Sequence, residues 1–255
     1  MKRRSIVRVR LAGGMALMLS GCAIHTPYTN ISQWPVARDA SYYHEPAPYR
    51  IGVLPLTDQR PAEERTGKQP HGVFLILWNR RIGDYYTGDR LFGGNVAQQL
   101  SDRLTEYLHS SNVFAQTIPI ATTPQGFDPS DSAAVSRLGL EQVVDYLLGG
   151  ELQHFFGSQS QHTSIYLLPL YVASAFGWQD SKTLPWGRTS IAFTLYDGKS
   201  GDVVWRHRLE ADRILPRERD LMSEAAMGSF VDLAGQLSAE LRQLPLDSGS
   251  SSTTP

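Results

Sequence analysis

A side chain that makes or breaks bonds must act as a nucleophile, a proton carrier or a ligand, and this chain keeps few such groups in useful company. Its one cysteine is Cys22. With no second cysteine the chain can form neither an internal disulfide nor a thiolate metal cage. Seven histidines stand at 25, 44, 71, 109, 154, 162 and 207, with no two at ligand spacing on one element. His154 and His162 would meet only if folding brought them together, and a structural zinc site needs more ligands than these. Asp58 and Arg60, in "TDQRP", are expected to end a strand and hold a turn, with Arg60 free or paired at the surface. Glu63 and Glu64 fall in a polar stretch and are expected to be solvated. The run "DGKSGD" offers backbone donors, but it sits in a hairpin turn with no helix N-terminus after it to hold an anion. The nucleophile-elbow, zincin, P-loop and dinucleotide-binding motifs do not occur. The expectation is therefore a non-enzyme with no metal and no cofactor.

Cys22 makes more sense in its setting. "MKRRSIVRVR" carries five cations and no acid, and an apolar stretch from Leu11 to Leu19 leads to the small residues Ser20 and Gly21. That order describes a bacterial export signal. It is too short for a membrane span, which takes about 20 apolar residues, and Gly13 and Gly14 interrupt it. The sequence Leu19-Ser20-Gly21-Cys22 resembles the lipobox of bacterial lipoproteins. The resemblance implies cleavage between Gly21 and Cys22, a diacylglycerol thioether on Cys22 and acylation of the new amino terminus. It also consumes a thiol that an ordinary signal peptide, the alternative, would leave unpaired in an oxidising compartment. Several acyl chains, at about 0.8 kcal/mol per buried CH₂, anchor a protein for good. Ala23 stands where an aspartate would resemble an inner-membrane retention signal. The implied address is the periplasmic face of the outer membrane.

Loss of residues 1–21 removes five of 24 Lys and Arg and none of 25 Asp and Glu, moving the formal charge from −1 to −6. No basic stripe with interleaved aromatics is present, so no nucleic-acid partner is expected. Residues 22–49, rich in Pro, Ser, Asn and aromatics without periodicity, are expected to form a tether, and the low-complexity residues 245–255 a disordered tail. A single domain is expected over 50–244.

Within it, "RIGVLPL" (Arg50–Leu56) predicts a buried strand. Val96, Leu100, Leu104, Tyr107 and Leu108 form one stripe of a helix that Asn95 is placed to cap. "NVFAQTIPI" predicts an extended segment, and 129–143 a short helix capped by Ser130 or Asp131. "DYLLGGELQHFFG" predicts a strand whose Gly149-Gly150 pair permits a bulge or a close backbone approach. Ile191, Phe193 and Leu195 alternate with polar or small neighbours up to a glycine-containing turn at 197–201, and Val203, Trp205, His207 and Leu209 alternate after it: an antiparallel hairpin. Phe230, Leu233, Ala234, Leu237 and Leu241 give a closing helix. The order predicts an α/β (α+β) domain, a layered mixed sheet with helices packed on it.

"VLPLTDQRP", a helix ending "YLHSSNVF", "DYLLGGELQHF" and "FTLYDGKSGDVVW" are similar to successive landmarks of envelope lipoproteins related to the curli secretion channel. The peptidoglycan-synthase activator lipoproteins and the amino-terminal domain of TolB share that architecture. The resemblance implies a membrane-tethered, non-enzymatic component of an envelope assembly or transport system. Its partner would be an unnamed periplasmic or outer-membrane protein, and homo-oligomers, up to a secretion pore, are a second expectation. A cell-wall hydrolase is a third reading, for which the sequence supplies no catalytic motif. Two long insertions, 57–94 and 158–188, stand out because they are rich in apolar residues. In the curli channel, insertions of this kind form membrane-spanning strand pairs. Neither Val73–Trp78 nor Ile165–Trp178 alternates as a barrel strand does. The first expectation is that both fold back as additional core. The functional alternative makes them an apolar patch for a partner or for the inner leaflet of the outer membrane, with Tyr166, Tyr171, Phe176, Trp178 and Trp186 as anchors.

Overall fold

Branched residues in the first predicted strand put it at the centre of a sheet, because its two faces are both apolar. β1 (Ala47–Val53) lies between two parallel neighbours, β5 (Phe114–Pro119) and the start of β6 (Tyr146–Ile165). The computed structural model describes residues 29–35, 45–68, 71–75, 78–124, 126–165, 178–217 and 221–246, with the backbone alone for 71–84 and 161–182. Ile51 and Val53 enter one core, and Leu54 enters another on the opposite face.

The crossovers explain the two cores. From β1 the chain passes through α2 (Val96–Ser110) to β5 on one side, then through α3 (Ser132–Gln142) back across to β6 on the other. Parallel crossovers are right-handed, so two that run in opposite directions place their helices on opposite faces. Val96, Leu100, Leu104, Tyr107 and Leu108 of α2 are all buried in the larger core. Val135 and Leu138 of α3 are buried in the smaller. The predicted hairpin follows as β8 (Trp186–Asp197) and β9 (Val203–Ile214), antiparallel to β6 and to each other. Asp197 Oδ1 holds its turn by accepting from the backbone N–H groups of Lys199 and Ser200. β9 forms an outer edge whose alternate Arg206, Arg208, Glu210 and Asp212 discourage edge-to-edge pairing. α4 (Met222–Gln243) closes the larger core over β8 and β9 with Phe230, Leu233, Ala234, Leu237 and Leu241. The layered mixed sheet expected from the sequence is present.

Four local details differ from the sequence expectations. Asn95 precedes α2 in a left-handed conformation (φ 43°) and its side chain makes no capping bond; Gln99 Nε2 instead donates back to the carbonyls of Phe92 and Gly94. The register of β6 on β8 runs unbroken through Gly149 and Gly150, and the bulge lies between Leu152 and His154. The close approach, the other role expected of the pair, is found at Gly150, which admits Leu56 and Ile191 close to its backbone. The third concerns the expected tether: Asn30 caps a short 3₁₀ turn at Ile31–Gln33, and Ile31 is wholly buried in the larger core. The fourth concerns the insertions, which contribute strands to the sheet; among their described side chains Phe92 does enter the larger core. β2 (Thr57–Asp58) and the short helix α1 (Ala62–Thr66) lead to β3 (His71–Leu75) and β4 (Trp78–Tyr86), while β7 (Trp178–Lys182) pairs with the far half of β6.

Two glycines on neighbouring strands, Gly157 of β6 and Gly187 of β8, form the pad on which the first turn of α4 rests. A Cβ on Gly157 would collide with the Met222 carbonyl, and one on Gly187 with the backbone of Ala225. Each change to alanine is expected to cost about 1–3 kcal/mol by overpacking, read from urea denaturation. The opposite sign is expected at the end of α3. Val143 caps it in the left-handed region (φ 54°), where a β-branched side chain is strained, and that side chain is 63% exposed. Val143→Gly should raise stability by about 1 kcal/mol in the same assay.

Candidate functional site

The second half of β6 leaves the body of the sheet and needs partners for its backbone. β4 supplies one side, antiparallel from Tyr86↔Ser158 to Gly83↔Gln161, and β7 the other, from Lys182↔Gln161 to Trp178↔Ile165. β3 pairs with β4 from His71↔Ile82 to Leu75↔Trp78. The order β3-β4-β6-β7 makes a four-stranded arm. The described pairing of β3 with β4 ends at Leu75↔Trp78 and that of β6 with β7 at Ile165↔Trp178.

The root of the arm is built from aromatic and charged contacts. Tyr86 and Trp186 both meet the ring of Phe156 edge-on, with centroids 5.2 Å away in each case. Thr87 N–H donates to the Gly157 carbonyl, and its Oγ1 accepts from Gly157 N–H. Arg60 is buried, at 3% exposure, and grips Asp58 through two hydrogen bonds, Nε to Oδ1 at 3.0 Å and Nη2 to Oδ2 at 2.7 Å. Its Nη1 lies 3.0 Å from Asp89 Oδ1, just past the end of β4. Glu64 is also buried. Its carboxylate accepts from His154 Nδ1–H at 2.7 Å and from the Phe155 N–H at 3.2 Å, tying α1 to β6. The expected surface position of Arg60 and the expected solvation of Glu64 are thus corrected. Both charges went inside because partners meet them there, Asp58 and Asp89 for Arg60 and His154 for Glu64.

Burial on its own would raise the Asp58 carboxyl, but hydrogen bonds from Arg60 and its charge outweigh that and hold it below the ordinary carboxylate value. Burial would lower the Arg60 guanidinium, and the two aspartates hold it above its ordinary value instead.

The amino-terminal segment enters at this same root. Thr29 N–H donates to the Leu91 carbonyl at 2.9 Å and Thr29 Oγ1 to Ser223 Oγ at 2.6 Å. Leu91 follows β4 and the Thr87 latch, and Ser223 adjoins Met222, on which Gly157 rests.

The predicted site residues do not all meet. Gly21, Cys22, Tyr166, Tyr171 and Phe176 lie outside the described residues. Trp178 stands at the far end of the arm, paired with Ile165, whereas Trp186 pairs with Ser158 at the root and meets Phe156 edge-on. Those two levels are seven residues apart on β6, about 23 Å at the rise of a strand. His154 and His162 share β6 eight residues apart, about 26 Å, so they do not converge on a metal. Among the described residues no group of three or more His, Cys, Asp or Glu is placed to hold a metal ion. No described helix is long and apolar enough to cross a membrane. A cleft of about 230 Å³ opens past the carboxyl end of β1, between Leu54–Thr57, Gly149–Glu151 and Phe127. It is smaller than a typical ligand pocket. The residues that sequence reasoning missed, Glu64 and Asp89, carried no local signal: each acts through a partner in another element.

The charged root gives a pH test. Because the Asp58 carboxyl titrates lower in the folded than in the unfolded chain, its contribution is complete above the unfolded value of about 3.9 and fades as pH falls through the folded value. Asp58→Asn is expected to cost about 1–3 kcal/mol at pH 6. The gap from wild type should narrow below about pH 4 in urea titrations; an unchanged gap at low pH contradicts the assignment.

No family model matches the chain, and no curated protein matches it. Solved structures do. Protein XCC0632 from Xanthomonas campestris is similar with a TM-score of 0.40 and 11% identity, over 79% of this chain and 86% of that one. The PelC dodecamer from Paraburkholderia phytofirmans gives 0.37 and 10%, over 74% and 91%. Lipoprotein GNA1162 from Neisseria meningitidis gives 0.35 and 14%, over 76% and 99%. These are distant similarities of chain path alone. One of the three is named as a lipoprotein; the likeness to the curli channel and to TolB stays an expectation.

Proposed function

We propose that the chain is a lipid-anchored envelope protein that works by binding a protein partner at the periplasmic face of the outer membrane. The observation that carries this reading is the order basic start, short apolar run, Leu19-Ser20-Gly21-Cys22. It gives the lone sulfur a chemical role and gives the chain an anchor. The body supports a binding role through what its charged groups already do. Arg60, Asp58, Asp89, Glu64 and His154 are engaged with one another in fixed pairs that join elements.

A pore subunit is the rival reading, and the paired hairpins β3–β4 and β6–β7 are the observation that favours it, since side-by-side hairpins are how a protomer contributes to a barrel. The residue pattern counts against it. By register, Arg80, Asp84 and His162 share one face of the arm, while Arg81, Asp180 and Lys182 share the other. A barrel strand needs one apolar face toward lipid, and neither face here supplies it. A cell-wall hydrolase has no observation in its favour.

The test is chemical. Radiolabelled palmitate is expected in the mature chain, and Cys22→Ser should abolish the label and move the chain out of the membrane fraction. A Cys22→Ser chain that keeps both label and membrane attachment overturns the reading. Sizing of the purified mature chain in detergent addresses the rival: a closed ring favours the pore.

A further inference from the structure

We infer that the free edge of β9 is the contact face of a two-fold symmetric dimer, in which β9 of one copy pairs antiparallel with β9 of a second. The inference does not depend on how the chain is anchored. It also differs from a pore: a ring joins two different surfaces, whereas this contact uses one surface twice and closes at two copies.

Among the described residues β9 pairs only with β8, and from Trp205 to Ile214 it does so without a shift of register. Its other edge is therefore a straight row of backbone N–H and C=O groups that no described strand covers, and such an edge templates another strand. Successive side chains on the strand point to opposite faces of the sheet. On one face Leu209 and Ala211 are buried in the larger core, while His207 and Arg213 pair with Glu240 and Asp232 of α4. The other face carries Arg206, Arg208, Glu210 and Asp212, all of them exposed, two cations followed by two acids.

That order selects one partner and one register. Residues opposed across an antiparallel pair share a face and interact directly. With Leu209 set against Leu209 of the second copy, Arg206 faces Asp212 and Arg208 faces Glu210. The two-fold repeats both contacts and opposes no like charges. Moving the axis by one residue, to Arg208 or Glu210, sets that charge against itself. Moving it by two, to His207 or Ala211, opposes Arg206 to Arg208 or Glu210 to Asp212. A strand of arbitrary sequence meets charges it does not match, so the pattern that turns others away admits a copy of itself. On the α4 face the same register brings Trp205 to Arg213 of the second copy, an indole beside a guanidinium. The ends fit as well. Val203 and Val204 are 50% and 46% exposed at one end of the strand and Ile214 is 67% exposed at the other. The pairing carries the valines of each copy to the Ile214 end of its mate, where both lose water.

The chain is purified in detergent and its mass is followed by sedimentation velocity over a concentration series. Wild type should pass from monomer to dimer as concentration rises. Arg206→Glu/Arg208→Glu makes this face of the strand wholly acidic, and Glu210→Lys/Asp212→Lys makes it wholly basic. Each double variant alone should show a dimer Kd raised more than about tenfold. Mixed one to one, the two should form a mixed dimer, because every contact is again between opposite charges. The fourfold exchange, Arg206→Glu/Arg208→Glu/Glu210→Lys/Asp212→Lys, restores the pattern within one chain and should dimerise as wild type does. A wild-type chain that stays monomeric throughout, or that assembles beyond two copies, overturns the inference. So does a dimer that survives unchanged in either double variant, or a mixture of the two that stays monomeric.

Discussion

A twenty-residue strand cannot leave its backbone unpaired, and that constraint shapes this molecule more than any side chain does. β6 begins as the third of three parallel strands and ends some 60 Å further along, far beyond the reach of the strands that flank its start. β1 and β8 satisfy its first half. Its second half exists only because two insertions double back as strands and pair with it on either side. The arm is thus an extension of the domain's central sheet rather than a loop attached to it. A force applied at its tip would be carried along β6 into the centre of the sheet.

Where body and arm meet, the chain concentrates the interactions that resist bending. The Arg60 pairs, the Glu64 bridge to His154, the Thr87 latch on Gly157 and the Tyr86–Phe156–Trp186 stack all lie within the same few residues of β6 and its neighbours. Two buried ions of opposite sign in low dielectric stabilise only when their geometry is good, and losing one partner strands the other. Such contacts specify one orientation of α1 and β4 on the sheet more than they add stability.

How much of this was legible in the sequence depended on chain distance. The α2 stripe and the β8–β9 hairpin are local patterns, each complete within about two dozen residues, and both appear as read. The layered α/β arrangement followed from element order and from the handedness of crossovers. Ile31 was not legible, because one isoleucine among Pro, Ser and Asn has no periodicity to reveal that it is core. Asp89 as a partner of Arg60 and His154 as the partner of Glu64 were not legible either: Glu64 meets His154 across 90 residues. The arm was least legible of all. "SQSQHTS" has no apolar alternation, yet it is strand because β4 and β7 pair with its backbone, which no pattern in its side chains announces. What the sequence did expose was the apolar character of the two insertions and the residue order expected of an export signal, with its single thiol. The structure relates the two by bringing the amino-terminal entry and the arm to one place.

Amide hydrogen exchange along β6 tests the pairing of its second half most directly. The amides of Ser158–Ile165 bonded to β4 and β7 are predicted to exchange far more slowly than those of an open chain. Open-chain exchange across that half of the strand would contradict the account.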